Sequence, residues 1–168
     1  MKKIFYSVLF FLAMLNVVSA QFTKAELRAD GLTCSLCSNA TYKQLKTLDF
    51  IDSIGMDLDH ATFLLYFNKD KTVDFEKIRN KVEFAGFTVG MLKATYTFNN
   101  FTVDTSHCFN MAGAVFCFIN ANTQTLNGEA ELQIVDAGFI SKKEYKKYAD
   151  YLAAHPEGSY MRVFHVIL

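Results

Sequence analysis

Polar and apolar residues between positions 22 and 93 alternate with the periods of strands and helices. Strands are predicted near residues 22–29, 51–58, 63–67 and 87–91. Apolar residues spaced three and four apart predict helices over residues 35–48 and 75–85; their inward stripes are Cys37, Thr41, Leu45 and Leu48, then Phe75, Ile78, Val82 and Ala85. The order strand, helix, strand, strand, helix, strand predicts a ferredoxin-like βαββαβ domain of the α+β class, with both helices on one sheet face.

From residue 94 onward the pattern becomes richer in strands. Strands are expected over 96–103, 114–119, 130–135 and 161–168, and Asn127-Gly128 predicts a two-residue hairpin turn. Ser141 and Glu144 form a capping-box pattern, which predicts one amphipathic helix with an apolar face of Tyr145, Tyr148, Ala149 and Leu152. We therefore divide the chain into residues 1–20, 21–93 and 94–168. The last segment is expected to be a small β-rich α+β domain of unknown role.

Residues 1–20 resemble a signal peptide. Met1-Lys2-Lys3 is basic, Ile4 to Val18 is almost entirely apolar, and Val18-Ser19-Ala20 has the small-x-small pattern of a cleavage site. The apolar run is shorter than the ~20 residues that a spanning helix needs. The sequence therefore predicts a periplasmic or secreted protein with no direct membrane insertion after cleavage, and an uncleaved anchor is the alternative.

Composition favours a folded chain and argues against nucleic-acid binding. Hydrophobic residues make up 51% of the chain and aromatic residues 15%, which is enough for a packed core. Without the leader, 15 basic side chains face 17 acidic ones, and no basic run occurs. Nucleic acid is accordingly not an expected partner.

The segment Gly31-Leu32-Thr33-Cys34-Ser35-Leu36-Cys37 follows a predicted strand and opens a predicted helix. It resembles the Gly-Met-Thr-Cys-x-x-Cys loop of heavy-metal-associated (HMA) domains. The resemblance extends through Phe50-Ile51-Asp52-Ser53-Ile54 to Glu83-Phe84-Ala85-Gly86-Phe87, where the family has an Ala-Gly-Phe or Ala-Gly-Tyr corner. Leu32 replaces the usual Met, and Phe50 replaces the usual Gly. The resemblance covers residues 22–93 and implies transfer of copper or mercury between proteins rather than enzymatic catalysis.

The chemistry of two thiols at a helix start supports metal binding independently of this resemblance. The partial positive charge of a helix N-terminus stabilises thiolates, so the pKa values of both Cys34 and Cys37 are expected to lie below that of a free thiol. Two soft sulfur ligands suit Cu(I), with Hg(II), Ag(I) and, less well, Zn(II) as alternatives. The expected partners are the metal ion and a metal-exchanging protein or membrane transporter.

Three other interpretations of the same residues stay open. In the first, Cys34 and Cys37 belong to a thiol-disulfide redox module, because Cys-x-x-Cys at a helix start also exchanges disulfides. In the second, they form only a local disulfide in an oxidising compartment. In a third interpretation the second half recognises a transporter or receptor, and the first half only senses metal.

Cys108 and Cys117 are expected to face each other across a hairpin. If Ala112-Gly113 is a two-residue turn, residue 108 lies opposite residue 117 at a non-hydrogen-bonded position, and we predict a structural disulfide between them. The alternatives are two reduced core cysteines or an auxiliary metal site of His107, Cys108, Met111 and Cys117.

The remaining histidines and the densest lysine cluster are expected to have structural roles. His60 in a turn and His155 at a helix end are interpreted as surface residues, and His165 as a half-buried, hydrogen-bonded strand residue. The basic cluster is interpreted as a solvated helix face with docking as the alternative; it comprises Lys142, Lys143, Lys146 and Lys147.

Overall fold

The computed structural model describes residues 21–57, 59–104, 108–119, 121–154 and 162–168. The predicted signal peptide lies outside these residues. So do His107 of the alternative metal site, His155, and the predicted helix-ending residues Pro156 and Gly158. Within the described ranges, no helix combines the length and the apolar character that crossing a membrane requires.

The described residues form eight strands and four helices. In chain order these are β1 (Phe22–Asp30), α1 (Ser35–Leu45), β2 (Ile51–Asp57), β3 (Thr62–Phe67), α2 (Phe75–Phe84), β4 (Thr88–Val103), β5 (Cys108–Met111), β6 (Ala114–Phe118), β7 (Gln124–Ile134), α3 (Lys142–Tyr145), α4 (Ala149–Ala154) and β8 (Val163–Ile167).

The first six elements form the predicted ferredoxin-like unit. Strands β2, β3, β1 and β4 are neighbours in that order, and β1 is antiparallel to both β3 and β4. The inward residues Thr41 and Leu45 of α1 and Ile78 and Val82 of α2 are fully buried, as their helical spacing predicts. Helix α1 ends at Leu45, three residues before the predicted end, although Leu48 is buried too.

Strand β4 continues the sheet into the second half of the chain. It spans 16 residues and pairs with β1 on one side and with β7 on the other. The full sheet has eight strands in the order β2-β3-β1-β4-β7-β8-β6-β5, with β6 and β8 parallel. The predicted division at residue 93 therefore falls inside a strand that both halves share, and a division into two domains stays a prediction.

Aromatic side chains from both halves pack in one hydrophobic core. The ring centroid of Phe22 lies 4.8 Å from that of Phe75 and 5.5 Å from that of Phe116. The ring of Phe75 also lies 5.6 Å from that of Phe164 in β8. All four residues belong to the same buried cluster, so the helix face of the sheet is packed continuously from the first half to the second.

The predicted hairpin at Asn127-Gly128 is wrong. Both residues lie inside β7, where Gly128 pairs with Phe98, and the register between β4 and β7 shifts between Phe98 and Phe101. Gly128 has φ +86° and Asn100 has φ +47°. The left-handed conformation that would suit a tight turn is used here at a bulge between two long strands.

The prediction of a single helix after Ser141 is also wrong, because the structure has two short helices there. Ser141 caps the helix start as predicted: its Oγ accepts the backbone N–H of Glu144 at 3.3 Å. The helix is then interrupted after Tyr145, where the N–H groups of Lys147 and Tyr148 bond to carbonyls three residues earlier, as in a 3₁₀ turn. Two short helices, α3 and α4, result.

Candidate metal site

The loop that carries Cys34 is shaped by a glycine and supported by an aromatic ring. Gly31 follows β1 and has φ +89°, a left-handed conformation that favours glycine. A Cβ atom at Gly31 would lie 3.6 Å from the Cδ1 atom of Phe87, so the loop and the corner after α2 are in contact. Leu32 is partly buried and packs against the core.

Cys34 is the N-cap residue of α1. Its backbone is extended, with φ −149° and ψ 156°, and its Sγ atom accepts a hydrogen bond of 3.3 Å from the backbone N–H of Cys37. The Cys34 carbonyl accepts the N–H of Ser38 at 3.1 Å, which begins the helical hydrogen bonds. The first turn of α1 contains no acidic residue, so no carboxylate opposes a negative charge on sulfur there.

The two cysteines differ in acidity, which corrects the prediction that both thiols are acidified. The side-chain hydrogen bond from Cys37, followed by its backbone N–H, lowers the pKa of Cys34 below that of an ordinary thiol. The same side-chain hydrogen bond, together with burial and the negative charge of Cys34, raises the pKa of Cys37. The order of these pKa values means that Cys34 loses its proton before Cys37 does.

Both sulfur-bearing residues can be reached from solvent. Cys34 is exposed, Cys37 is partly exposed, and the side chain of Leu36 between them is 78% exposed. Among the residues that the structure describes, no group of three or more His, Cys, Asp or Glu side chains is arranged to hold a metal. The donor set at this loop is therefore two thiols at an open helix start, which can accept a soft cation or exchange a disulfide.

The other candidate cysteines lie far along the sheet, at its β5 edge. Cys108 pairs with Cys117 in the predicted register, opposite one another in the β5–β6 hairpin. The structure places a disulfide between them, with the Cα atoms 4.2 Å apart. Because the sulfurs of Cys108 and Cys117 are bonded to each other, neither is free to bind a metal as the alternative site would require. His107 lies outside the described residues.

The described histidines and lysines have the positions that the sequence predicts, with one important difference. His60 lies in the exposed turn after β2, and its Nδ1 atom is 2.8 Å from the Asp57 Oδ2 atom. The lysines of α3 and the following turn are exposed. His165 is fully rather than half buried, and only one of its ring nitrogens is hydrogen-bonded.

Sequence analysis missed two polar contacts that link distant parts of the chain. The Nδ1 atom of His165 lies 2.7 Å from the Oδ1 atom of Asp136. Arg162 donates a hydrogen bond of 2.6 Å from Nε to Glu76 in the first turn of α2. Neither pair leaves a local pattern, because the partners are 29 and 86 residues apart.

Comparison with known proteins finds a family match within the first half of the chain. The model of the family described as "Heavy-metal-associated domain" matches residues 26–88. A comparison with curated proteins found no match. Among solved structures, a CopZ metallochaperone is 21% identical, with a TM-score of 0.37, over 40% of this chain and 98% of its own. The yeast copper transporter domain Ccc2a is 24% identical, with a TM-score of 0.36, over 40% of this chain and 90% of its own. Residues 26–88, which contain the Cys34–Cys37 loop and the ferredoxin-like strand order, are therefore a heavy-metal-associated domain.

Proposed function

We propose that the protein binds one soft heavy-metal ion between the sulfurs of Cys34 and Cys37 and transfers it to another protein. Cu(I) is the first candidate, Hg(II) and Ag(I) are alternatives, and Zn(II) is weaker. The observation that carries this proposal is the position of Cys34 as the N-cap of α1, with its sulfur hydrogen-bonded by the Cys37 N–H. The heavy-metal-associated domain around this loop supports the same function.

The geometry favours binding because the metal-binding form of cysteine is the thiolate. A lowered pKa at Cys34 increases the thiolate fraction of that residue at a given pH. A cation arriving at that sulfur then favours loss of the remaining proton from Cys37, since metal binding displaces protons from its ligands. Two thiolates satisfy a near-linear soft ion without a third ligand.

Exposure of the loop favours transfer over permanent storage. A thiolate of a partner can approach the ion at Cys34, bind it, and displace the Cys34 and Cys37 sulfurs in turn. Such ligand exchange requires no catalytic step on a substrate, so we propose a metallochaperone or metal-resistance accessory protein rather than an enzyme. The proposed recipient is a metal-exchanging protein or a membrane transporter.

The second candidate function is thiol-disulfide exchange at the same two cysteines. It is favoured by the same asymmetry of acidity, because an acidic exposed thiol beside a less acidic one is suited to attack a disulfide. This function predicts turnover of a disulfide substrate without metal, and its loss in a Cys34→Ser variant.

Metal titration separates the two functions. The reduced chain without residues 1–20 is titrated anaerobically with Cu(I) in the presence of a chromogenic Cu(I) chelator. We expect one ion per chain, with tight binding lost in both Cys34→Ser and Cys37→Ser. A Cys108→Ser/Cys117→Ser variant is the matched control and should bind as tightly as the unaltered chain. Failure of the reduced protein to retain a thiophilic ion at one per chain contradicts the proposal.

We further propose that the protein acts outside the cytoplasm, in the periplasm or after secretion. The support is the basic, apolar and small-residue pattern of residues 1–20. N-terminal sequencing of protein isolated from cells is the test. A start at Gln21 is expected, and a retained residue 1 contradicts cleavage.

A further inference from the structure

A buried polar cluster lies on the sheet face opposite the main core, in the second half of the chain. Strands β6 and β8 are parallel, and their register pairs Cys117 with His165. The neighbours Phe116 and Phe164 belong to the main core. Because side chains alternate between faces along a strand, Cys117 and His165 share the other face, on adjacent strands about 5 Å apart.

His165 is held in place by one carboxylate. Asp136 accepts the His165 backbone N–H at 2.8 Å through Oδ2, and its Oδ1 atom is 2.7 Å from the ring Nδ1 atom. Both residues are buried, with exposed fractions of 7% for Asp136 and 2% for His165. A carboxylate accepts hydrogen bonds, so we assign the shared hydrogen to Nδ1.

The other ring nitrogen, Nε2, is buried and has no hydrogen-bond partner within the described structure. An unpaired buried polar atom is costly, and such atoms are uncommon in folded proteins. If the contact between His165 and Asp136 served only to join β8 to the end of β7, Nδ1 would be sufficient. A buried polar atom at Nε2 would then have no role. The neighbour across the strand pair on this face is Cys117.

Reduction of the disulfide would supply the missing partner. If the imidazole is neutral, the Cys117 S–H can donate to Nε2. If the imidazole is protonated, its Nε2–H can donate to a Cys117 thiolate. A disulfide sulfur has no hydrogen to donate and is only a weak acceptor, so in both protonation states Nε2 has a better partner when Cys117 is reduced. The Asp136–His165 pair therefore stabilises the reduced form relative to the disulfide.

The sulfurs of Cys108 and Cys117 also differ in solvent exposure, and this difference suits thiol-disulfide exchange. Cys108 is exposed, whereas Cys117 is only 6% exposed. An incoming thiolate therefore attacks the Cys108 sulfur, and the Cys117 sulfur leaves on the side of His165. Leaving-group stabilisation speeds this step of thiol-disulfide exchange.

We propose that Cys108–Cys117 is an exchangeable disulfide with His165 as a positioning residue, and that its co-reactant is a dithiol. A thiolate of the dithiol forms a bond to the Cys108 sulfur, the Cys108–Cys117 bond breaks, and its electron pair passes to Cys117, which takes up a proton or pairs with protonated His165. The second thiol of the dithiol then attacks the dithiol sulfur that is bonded to Cys108. The bond between that sulfur and Cys108 breaks, and Cys108 is released as a thiol. The dithiol loses two electrons and becomes a disulfide, and the protein gains two thiols. This site is distinct from Cys34 and Cys37 and does not depend on metal transfer.

The test isolates this pair in a Cys34→Ser/Cys37→Ser background of the chain without residues 1–20. The protein is equilibrated in buffers of reduced and oxidised dithiothreitol, and the reduced fraction of Cys108 and Cys117 is read by alkylation and peptide mass spectrometry. His165→Asn keeps an N–H donor near the Nδ1 position and removes Nε2. We expect it to lower the equilibrium constant for reduction about tenfold, as loss of one buried hydrogen bond implies.

His60→Asn is the matched control, because His60 makes the same contact with an aspartate on the exposed surface. It should leave the equilibrium constant unchanged. Asp136→Asn, which preserves shape, should lower the constant in the same direction and keeps the test informative if His165→Asn does not fold. The proposal is overturned if the folded His165 and Asp136 variants reduce as readily as the background chain, or if the disulfide opens only after global unfolding.

Discussion

The backbone N–H of Cys37 donates a 3.3 Å hydrogen bond to the Sγ atom of Cys34, so the second cysteine of the loop helps to hold charge on the first. A Cys-x-x spacing places residue 37 in the first turn of α1, where its N–H has no carbonyl partner within the helix. The Cys34 sulfur takes the role that a serine or aspartate oxygen usually has at a helix start. The same spacing brings the second thiol beside the first.

Selective alkylation should reveal this difference between the cysteines. In the reduced protein near neutral pH, iodoacetamide should modify Cys34 before Cys37, because the pKa of Cys34 is lowered and that of Cys37 is raised. Peptide mass spectrometry of samples quenched over time measures both rates. Equal rates, or faster modification of Cys37, would contradict the assignment.

Two substitutions at Cys37 refine that measurement. Cys37→Ser keeps a side-chain donor to the Cys34 sulfur, whereas Cys37→Ala keeps only the backbone N–H. The largest cause of the lowered pKa at Cys34 is the side-chain hydrogen bond. Alkylation of Cys34 should therefore move to higher pH in Cys37→Ala and move less in Cys37→Ser.

The His60–Asp57 pair predicts a local pH dependence in the turn after β2. The hydrogen bond and charge of Asp57 raise the pKa of His60, and His60 in turn lowers the pKa of Asp57. Stabilisation from His60 is present below its unfolded pKa of about 6.5 and is lost as pH rises through its higher folded value. Stabilisation from Asp57 is present above about pH 3.9 and is lost as pH falls through its lower folded value.

NMR titration of the His60 ring protons tests this pairing. Asp57→Asn should lower the pKa of His60 toward that of a free histidine. Asp59→Asn is the control, because Asp59 contributes only a smaller charge effect. An identical shift in both variants would show that the pair has no special role. Since both side chains are well exposed, we expect little change in global stability.

Phe75 should be essential for stability because it joins the two halves of the core. Its ring contacts those of Phe22, Phe67, Phe116 and Phe164. Phe75→Ala should cost about 3–5 kcal/mol and lower Tm by about 10 °C. Phe84 on the same helix is 78% exposed, so Phe84→Ala should change stability by no more than about 0.5 kcal/mol.

Urea unfolding followed by two probes checks both the magnitude and the cooperativity. One probe reports on the first half and one on the second, for example hydrogen exchange at β1 and at β8. A single shared transition is expected in both variants, because β4 and the Phe75 cluster belong to both halves. Separate transitions for β1 and β8 would instead support the division at residue 93.

Local structure that depends on near neighbours was predictable from the sequence. The helical spacing of Ile78 and Val82 identified the buried face of α2, and the turn at Ala112-Gly113 fixed the register that pairs Cys108 with Cys117. The motif of residues 31–37 placed two thiols at a helix start. The division of acidity between them was not predictable, because it depends on which sulfur receives the hydrogen bond.

Spacing along the chain thus determined the βαββαβ order, the paired hairpin cysteines and the position of the Cys34–Cys37 loop, since covalent geometry alone brings these residues together. Only the tertiary structure decided that Asn127-Gly128 lies within β7, opposite a bulge in β4, and that β4 runs without a break past residue 93. Only the fold brought His165 to Asp136. These features depend on which strands pair across long sequence separations. Where a local sequence is compatible with two conformations, the chain adopts the one that the completed sheet and core stabilise.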